Sequence, residues 1–143
     1  GPTVWGSDGA QAAVIDVPAW KAGEPQPTIT MEGRTVFKWA TTTIAEKCHD
    51  ALSAAGLSAD DLEVFIPHQA NNRITDSMLR HLKLPDKVVV SRDIVHMGNS
   101  SAASVPLAME ALLESGEAHS GQLALTIGFG AGLVYAGQVV RLP

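Results

Sequence analysis

The chain has 143 residues, enough for one domain with its own apolar core. Hydrophobic residues make up 45% and charged residues only 17%, which fits a domain that hides one face against a partner. The net charge of −5 argues against a nucleic-acid backbone as main partner, the single cysteine excludes an internal disulfide, and no apolar run approaches the ~20 residues of a membrane helix.

Gly1–Gly9 (GPTVWGSDG) reads as the end of a strand followed by a Gly-rich turn. It has neither the basic flank nor the apolar stretch of a signal peptide, and no Met. A cytoplasmic chain that is one piece of something larger is expected. Ala10–Pro27 shows no clear period and closes in the loop signal GEPQP, and Thr28–Glu32 (TITME) reads as a short strand. Gly33 opens a helix with apolar positions Phe37, Ile44, Cys48, Leu52 and Ala55, stopped at Gly56.

Ser58 begins SADDLE, an N-cap pattern for one helical turn. Leu62–Pro67 (LEVFIP) is apolar enough for a strand buried on both faces. Over Ala70–Leu82 a helix is expected, with Ala70, Ile74, Met78 and Leu82 on one side and Arg73, Asp76, Ser77 and Arg80 on the other. Val88–Val90 is a brief strand. Ser101–Glu114 is a helix closed by Gly116, with Pro106 tolerable only in its first turn or at a kink. Gln122–Ile127 and Leu133–Arg141 are strands joined by GFGAG, a connection too short for a parallel crossover. The order βαβαβαββ after an N-terminal extension predicts an α/β fold with a mostly parallel five-stranded sheet.

Three segments carry polar groups where chemistry is possible. In Ile66–Ile74 (IPHQANNRI) a buried strand delivers His68 to the carboxyl edge of the sheet, where ligand sites of open α/β sheets gather. Taken alone, such a histidine is first of all a structural residue satisfied by a backbone carbonyl. In His96–Ser104 (HMGNSSAAS), Asn99 offers an amide donor to a substrate oxygen, or an Asn or Ser of the loop caps the helix; both hold if Ser100 or Ser101 caps while Asn99 faces the site. Gly128–Gly132 (GFGAG) is either a tight turn or a backbone N–H presented to an oxyanion. It does not open a helix, so it is no dinucleotide fingerprint. His49, His81 and His119 have no metal-ligand spacing. Cys48, mid-helix on the apolar stripe, reads as an inert core thiol.

IPHQANNRI, HMGNSSAASVPLA and GFGAG, in this order and preceded by MEGRTVFKWA, resemble the β-ketoacyl-acyl-carrier-protein synthase III family of thiolase-fold condensing enzymes, from about Ser7 to Pro143. The resemblance implies a duplicated fold whose other half carries the cysteine nucleophile. Residues 1–27 would then end that half and connect it to a C-terminal thiolase-like domain at 28–143, inactive without the cysteine. It implies that His68 and Asn99 donate hydrogen bonds to the malonyl thioester oxygen during decarboxylation. The backbone N–H of Ala131, where many members have glycine, would help hold the oxyanion formed at the acyl thioester. Gly33, Phe37, Ala70 and Asn71 would line the pantetheine tunnel, Phe129 would wall the cysteine pocket, and Lys38 and Arg73 would meet acyl carrier protein.

The implied partners are the cysteine-bearing half, a second subunit of a homodimer, acyl-CoA and acyl carrier protein. No metal or resident cofactor is implied, since coenzyme A and the carrier's phosphopantetheine are substrates. A polyketide-starter condensing enzyme, an acyltransferase that never decarboxylates, and a non-catalytic dimerisation or carrier-binding partner remain alternatives.

Overall fold

A computed structural model describes residues 1–143. The elements are strand β1 (Val4–Ser7), a 3-10 segment (Gly9–Val14), strands β2 (Ile15–Asp16) and β3 (Thr30–Met31), and helices α1 (Gly33–Thr41) and α2 (Thr43–Ala54). After a 3-10 turn at Ala59–Asp61 come β4 (Val64–Pro67), α3 (Asn72–Leu82), β5 (Val89–Val90) and the short helix α4 (Ile94–Met97). A second 3-10 turn (Ser101–Ala103) leads into α5 (Ser104–Ser115), and β6 (Leu123–Gly130) and β7 (Val134–Arg141) close the chain. No helix is long and apolar enough to cross a membrane.

The main sheet has five strands in the order β1-β7-β6-β4-β5. β4 pairs in parallel with β5 and β6, while β7 pairs antiparallel with β6 and β1, so the sheet is half parallel. All four residues of β4 are buried. Its side chains alternate between two cores, as a period of two requires. Phe65 joins the larger core with α1, α2 and α3, whereas Val64 and Ile66 join the smaller one under α5. β6 alternates likewise, with Leu125, Ile127 and Phe129 toward the larger core and Ala124 toward the smaller.

Three expectations change. The strand expected at Thr28–Glu32 shrinks to Thr30–Met31 and pairs only with Ile15–Asp16 in a separate two-stranded ribbon. Both its residues are exposed, so it has no apolar face to bury in the sheet. The fifth strand of the main sheet is instead Val4–Ser7, which takes the free edge of β7. β1 thus lies in the same sheet as β4–β7, and Val14 and Ile15 belong to the larger core. Finally, the long helix expected from Gly33 breaks at Thr42 (φ −110, ψ −72). The Thr41 and Thr42 hydroxyls both donate to the Lys38 carbonyl, a back-bonding that bends helices.

The helix ends agree better with the sequence. Gly56 and Gly116 both adopt positive φ, and Pro106 falls in the first turn of α5. In GFGAG, Gly128, Phe129 and Gly130 are strand residues paired with β7, so only Ala131–Leu133 makes the turn. Gly132 there has φ +127, and a Cβ on it meets Val134 Cγ1 at 2.7 Å, whereas Ala131 does not adopt positive φ. Gly132→Ala is accordingly expected to lower stability by roughly 1–3 kcal/mol, and Ala131→Gly by much less. Urea unfolding midpoints of the two variants check this ordering.

Candidate active site

β4 ends at Pro67, and the next residue leaves the sheet at its carboxyl edge. The backbone N–H of His68 still donates to the Ile127 carbonyl at 2.7 Å, so the parallel ladder with β6 fixes where the histidine emerges. Gln69, buried to 2% exposure, then holds the chain. Its side-chain amide donates to the Pro67 carbonyl at 2.7 Å and accepts from the Ile94 N–H at 3.1 Å, joining the strand end to α4.

The His68 ring lies edge-on to Phe129, with centroids 5.2 Å apart and planes at 81°, and Phe129 in turn meets Trp39 edge-on at 6.0 Å. Nδ1 of His68 lies 2.6 Å from the Ser104 hydroxyl oxygen at the start of α5. The backbone carbonyl partner thought natural for such a histidine is replaced by this hydroxyl. Nε2 has no partner in the chain and is not sealed from solvent. Burial pushes the imidazole pKa down from its ordinary 6.5, which favours the neutral ring.

Asn99 follows Gly98, whose φ of +68 with ψ −168 suits only glycine. The Asn99 side-chain oxygen accepts from the Ser101 N–H at 2.9 Å, and Ser101 itself sits at φ +54, unusual for a residue with a side chain. The residue is exposed, and its carboxamide NH2 has no partner in the chain. Neither Ser100 nor Ser101 caps a helix through its side chain, contrary to expectation, because Asn99 takes the free N–H there.

His68, Asn99, Ala131, Gly33, Phe37, Ala70, Asn71 and Phe129 all line one cleft of about 1420 Å³. The cleft also exposes the apolar side chains of Trp5 on β1, Val134 on β7, Met31 on β3 and Ile29 just before β3. Phe37, placed by spacing on the α1–α2 apolar stripe, turns toward the cleft; Val36, Trp39 and Ala40 carry the buried face of α1. Asn71 caps α3, accepting from the Arg73 N–H at 2.8 Å, which leaves its NH2 free. A Cβ on Gly33 would meet nothing within 4 Å, so packing inside this chain does not require glycine there.

Lys38 and Arg73 do not line the cleft. They are exposed and unpaired on α1 and α3, the helices whose first turns border it. Cys48 is fully buried in the larger core, and burial pushes its thiol far above the ordinary range, so the cleft contains no thiol. No group of three or more His, Cys, Asp or Glu side chains is placed to hold a metal ion. Sequence reasoning missed Ser104 and Gln69 as supports of the histidine, and Trp39 as the ring packed against Phe129. Ser104 lies 36 residues away and looked like one more small residue in a helix start.

A family model described as "3-Oxoacyl-[acyl-carrier-protein (ACP)] synthase III C terminal" matches residues 52–142. The β-ketoacyl-[acyl-carrier-protein] synthase III of Streptomyces glaucescens is 58% identical across the whole chain, which covers 45% of that protein. The mycobacterial β-ketoacyl-[acyl-carrier-protein] synthase III of Mycobacterium ulcerans is 51% identical, with 44% of it covered. Among solved structures, the priming β-ketosynthase of the R1128 polyketide pathway superposes with a TM-score of 0.95 at 44% identity, over all of this chain and 45% of that one. The 3-oxoacyl-(acyl carrier protein) synthase III of Pseudomonas aeruginosa superposes at 0.90 and 35% identity, over 99% of this chain and 43% of that one. The chain thus spans about half the length of the curated relatives it matches.

The lowered His68 pKa has a consequence for stability. The folded chain binds the proton less readily than the unfolded chain, so His68's share of stability is complete above pH 6.5 and is lost as pH falls through the lowered folded value. Denaturant titrations between pH 7.5 and 4.5 should show this loss, and His68→Gln should flatten that part of the profile.

Proposed function

The chain belongs to the 3-oxoacyl-[acyl-carrier-protein] synthase III C-terminal family, and we propose that it is the half of such a condensing enzyme that drives decarboxylation. A short acyl group passes from coenzyme A to a cysteine thiolate outside these 143 residues, and coenzyme A leaves as its thiolate, which takes a proton from solvent. Malonyl on acyl carrier protein then loses carbon dioxide, and the electron pair left on its C2 attacks the acyl carbonyl. The carbon–sulfur bond to the cysteine breaks, giving 3-oxoacyl carrier protein and a free thiolate.

As carbon dioxide leaves, negative charge gathers on the malonyl thioester oxygen. His68 donates from Nε2 and Asn99 from its carboxamide to that oxygen. Fixed donors in a site shielded from water stabilise such charge by about 3 kcal/mol each. The observation that carries this reading is that an unpartnered imidazole nitrogen and an exposed carboxamide line one apolar-walled cleft that has no thiol of its own. A neutral imidazole and an amide suit this role because neither adds a permanent charge that burial would penalise.

Ala131 would present its backbone N–H to the acyl oxyanion. Its residue type departs from the glycine of many members, but the local backbone does not need positive φ. Gly33, Phe37, Ala70 and Asn71 would border the pantetheine arm, with the free Asn71 NH2 available to an arm oxygen. Phe129 would wall the acyl pocket while holding the His68 ring. The exposed apolar strip of Trp5, Ile29, Met31 and Val134 is surface for the cysteine-bearing half or for a second subunit to cover. Substrates of this kind, and the lone reduced thiol, are those of the cytoplasm.

A second reading is a polyketide-starter enzyme, favoured by the likeness to the R1128 priming ketosynthase. With the cysteine-bearing half of a relative supplied, His68→Ala and Asn99→Ala are each expected to reduce carbon dioxide release from malonyl carrier protein by ~10²–10³-fold. Both should spare much of the cysteine acylation by acyl-CoA. Equal loss of both steps in both variants would count against the histidine and asparagine as decarboxylation donors. Acyl-CoA preference in the same assay separates fatty-acid from polyketide initiation, and an assembly that acylates but never decarboxylates is an acyltransferase.

Lys38 and Arg73 would attract the acidic carrier. Reversing both charges should raise KM for malonyl carrier protein about three- to tenfold at low salt, with the gap closing as salt rises. Turnover of malonyl pantetheine lacking the carrier should be unchanged, and steady-state kinetics with the two substrates measures both.

A further inference from the structure

We propose that Ser104 is a positioning residue for His68: its hydroxyl donates to Nδ1 and so keeps the single proton of the imidazole on Nε2, the nitrogen that opens on the cleft. The catalytic consequence rests on the decarboxylation reading above; the tautomer itself does not.

The donors and acceptors around one oxygen decide the tautomer. Ser104 Oγ is buried, at 1% residue exposure, and has two neighbours. One is His68 Nδ1 at 2.6 Å, and the other is the Gln69 backbone N–H, which donates to it at 3.2 Å. A hydroxyl has one proton to give and two lone pairs to receive with. If Nδ1 carried the imidazole proton, both neighbours would be donors and both lone pairs would be filled. The hydroxyl proton of this buried residue would then have no acceptor in the chain, an arrangement that buried groups avoid. If the hydroxyl donates to Nδ1, the oxygen still receives the Gln69 N–H and every group is satisfied. Burial keeps the ring neutral, so the proton excluded from Nδ1 resides on Nε2. The chain offers Nε2 no acceptor, so that N–H is left for a ligand.

The short segment Asn99–Ser104 thereby orients both proposed donors. Its first residue binds the Ser101 N–H with the amide oxygen and keeps its NH2 unpartnered, and its last sets the histidine tautomer. The intervening 3-10 turn at Ser101–Ala103 fixes the spacing between the two.

The test uses the chain assembled with a cysteine-bearing half and labelled with 15N-histidine. Wild type should show His68 with an unprotonated Nδ1 and a protonated Nε2. Ser104→Ala should move both nitrogen shifts toward a tautomer average. It should lower decarboxylation about tenfold, on the scale of lost orienting partners, with cysteine acylation unchanged. Ser104→Thr keeps the hydroxyl and should restore both readouts. A wild-type spectrum with the proton on Nδ1 overturns the proposal, and needs no variant to fold. So does a Ser104→Ala protein, folded by its other histidine signals, that leaves tautomer or decarboxylation untouched. If His68→Ala itself leaves decarboxylation intact, it is the condensing-enzyme reading that fails, while the wild-type spectrum still decides the tautomer.

Discussion

Everything at the cleft depends on where β4 stops. This four-residue strand is buried on both faces and paired in parallel on both sides. Its position is therefore set by two cores and two ladders together, and a slip of one residue would turn Phe65 from the larger core toward the smaller. Because β5 pairs only with Val64 and Phe65, the missing N–H of Pro67 breaks no bond on that side. The ladder with β6 continues one residue further, to the His68 N–H. A polar residue thus emerges at a point that the hydrophobic interior has already specified, which costs less than positioning it from a free loop.

The histidine is held from several directions by groups of different kinds. Phe129 supports the face of the site from β6, Ser104 meets the ring from α5, and the Gln69 amide ties the strand end to α4. Asn99 comes from a segment that spends conformational energy, with Gly98 and Ser101 both at positive φ. Such backbone persists where the surroundings over-determine it. The bond from Ser101 to the Asn99 oxygen, and the helix that begins three residues later, do so in this segment.

The cleft is also unfinished in a physical sense. Trp5 on β1 is 76% exposed and Ile29, just before β3, is 62% exposed, and both lie along the cavity wall. An apolar lining of this extent is ordinarily covered. The low charge content of the sequence fits such a surface.

Much of this architecture is legible in the order of the amino acids. The alternation of apolar residues in LEVFIP, the glycines at helix ends and the polar groups at strand ends locate β4, α3, α5 and the residues His68 and Asn99, because these signals are local. Spacing along the chain misleads where distant neighbours decide the outcome. TITME has strand-forming residues, yet Val4–Ser7 takes the sheet edge beside β7, and TITME pairs only with Ile15–Asp16. Phe37 fits the apolar period of its helix, yet faces the cleft, because α1 and α2 are not one helix. Folding alone brings Ser104 against an imidazole 36 positions earlier, since no local pattern records which hydroxyl a buried ring nitrogen will meet.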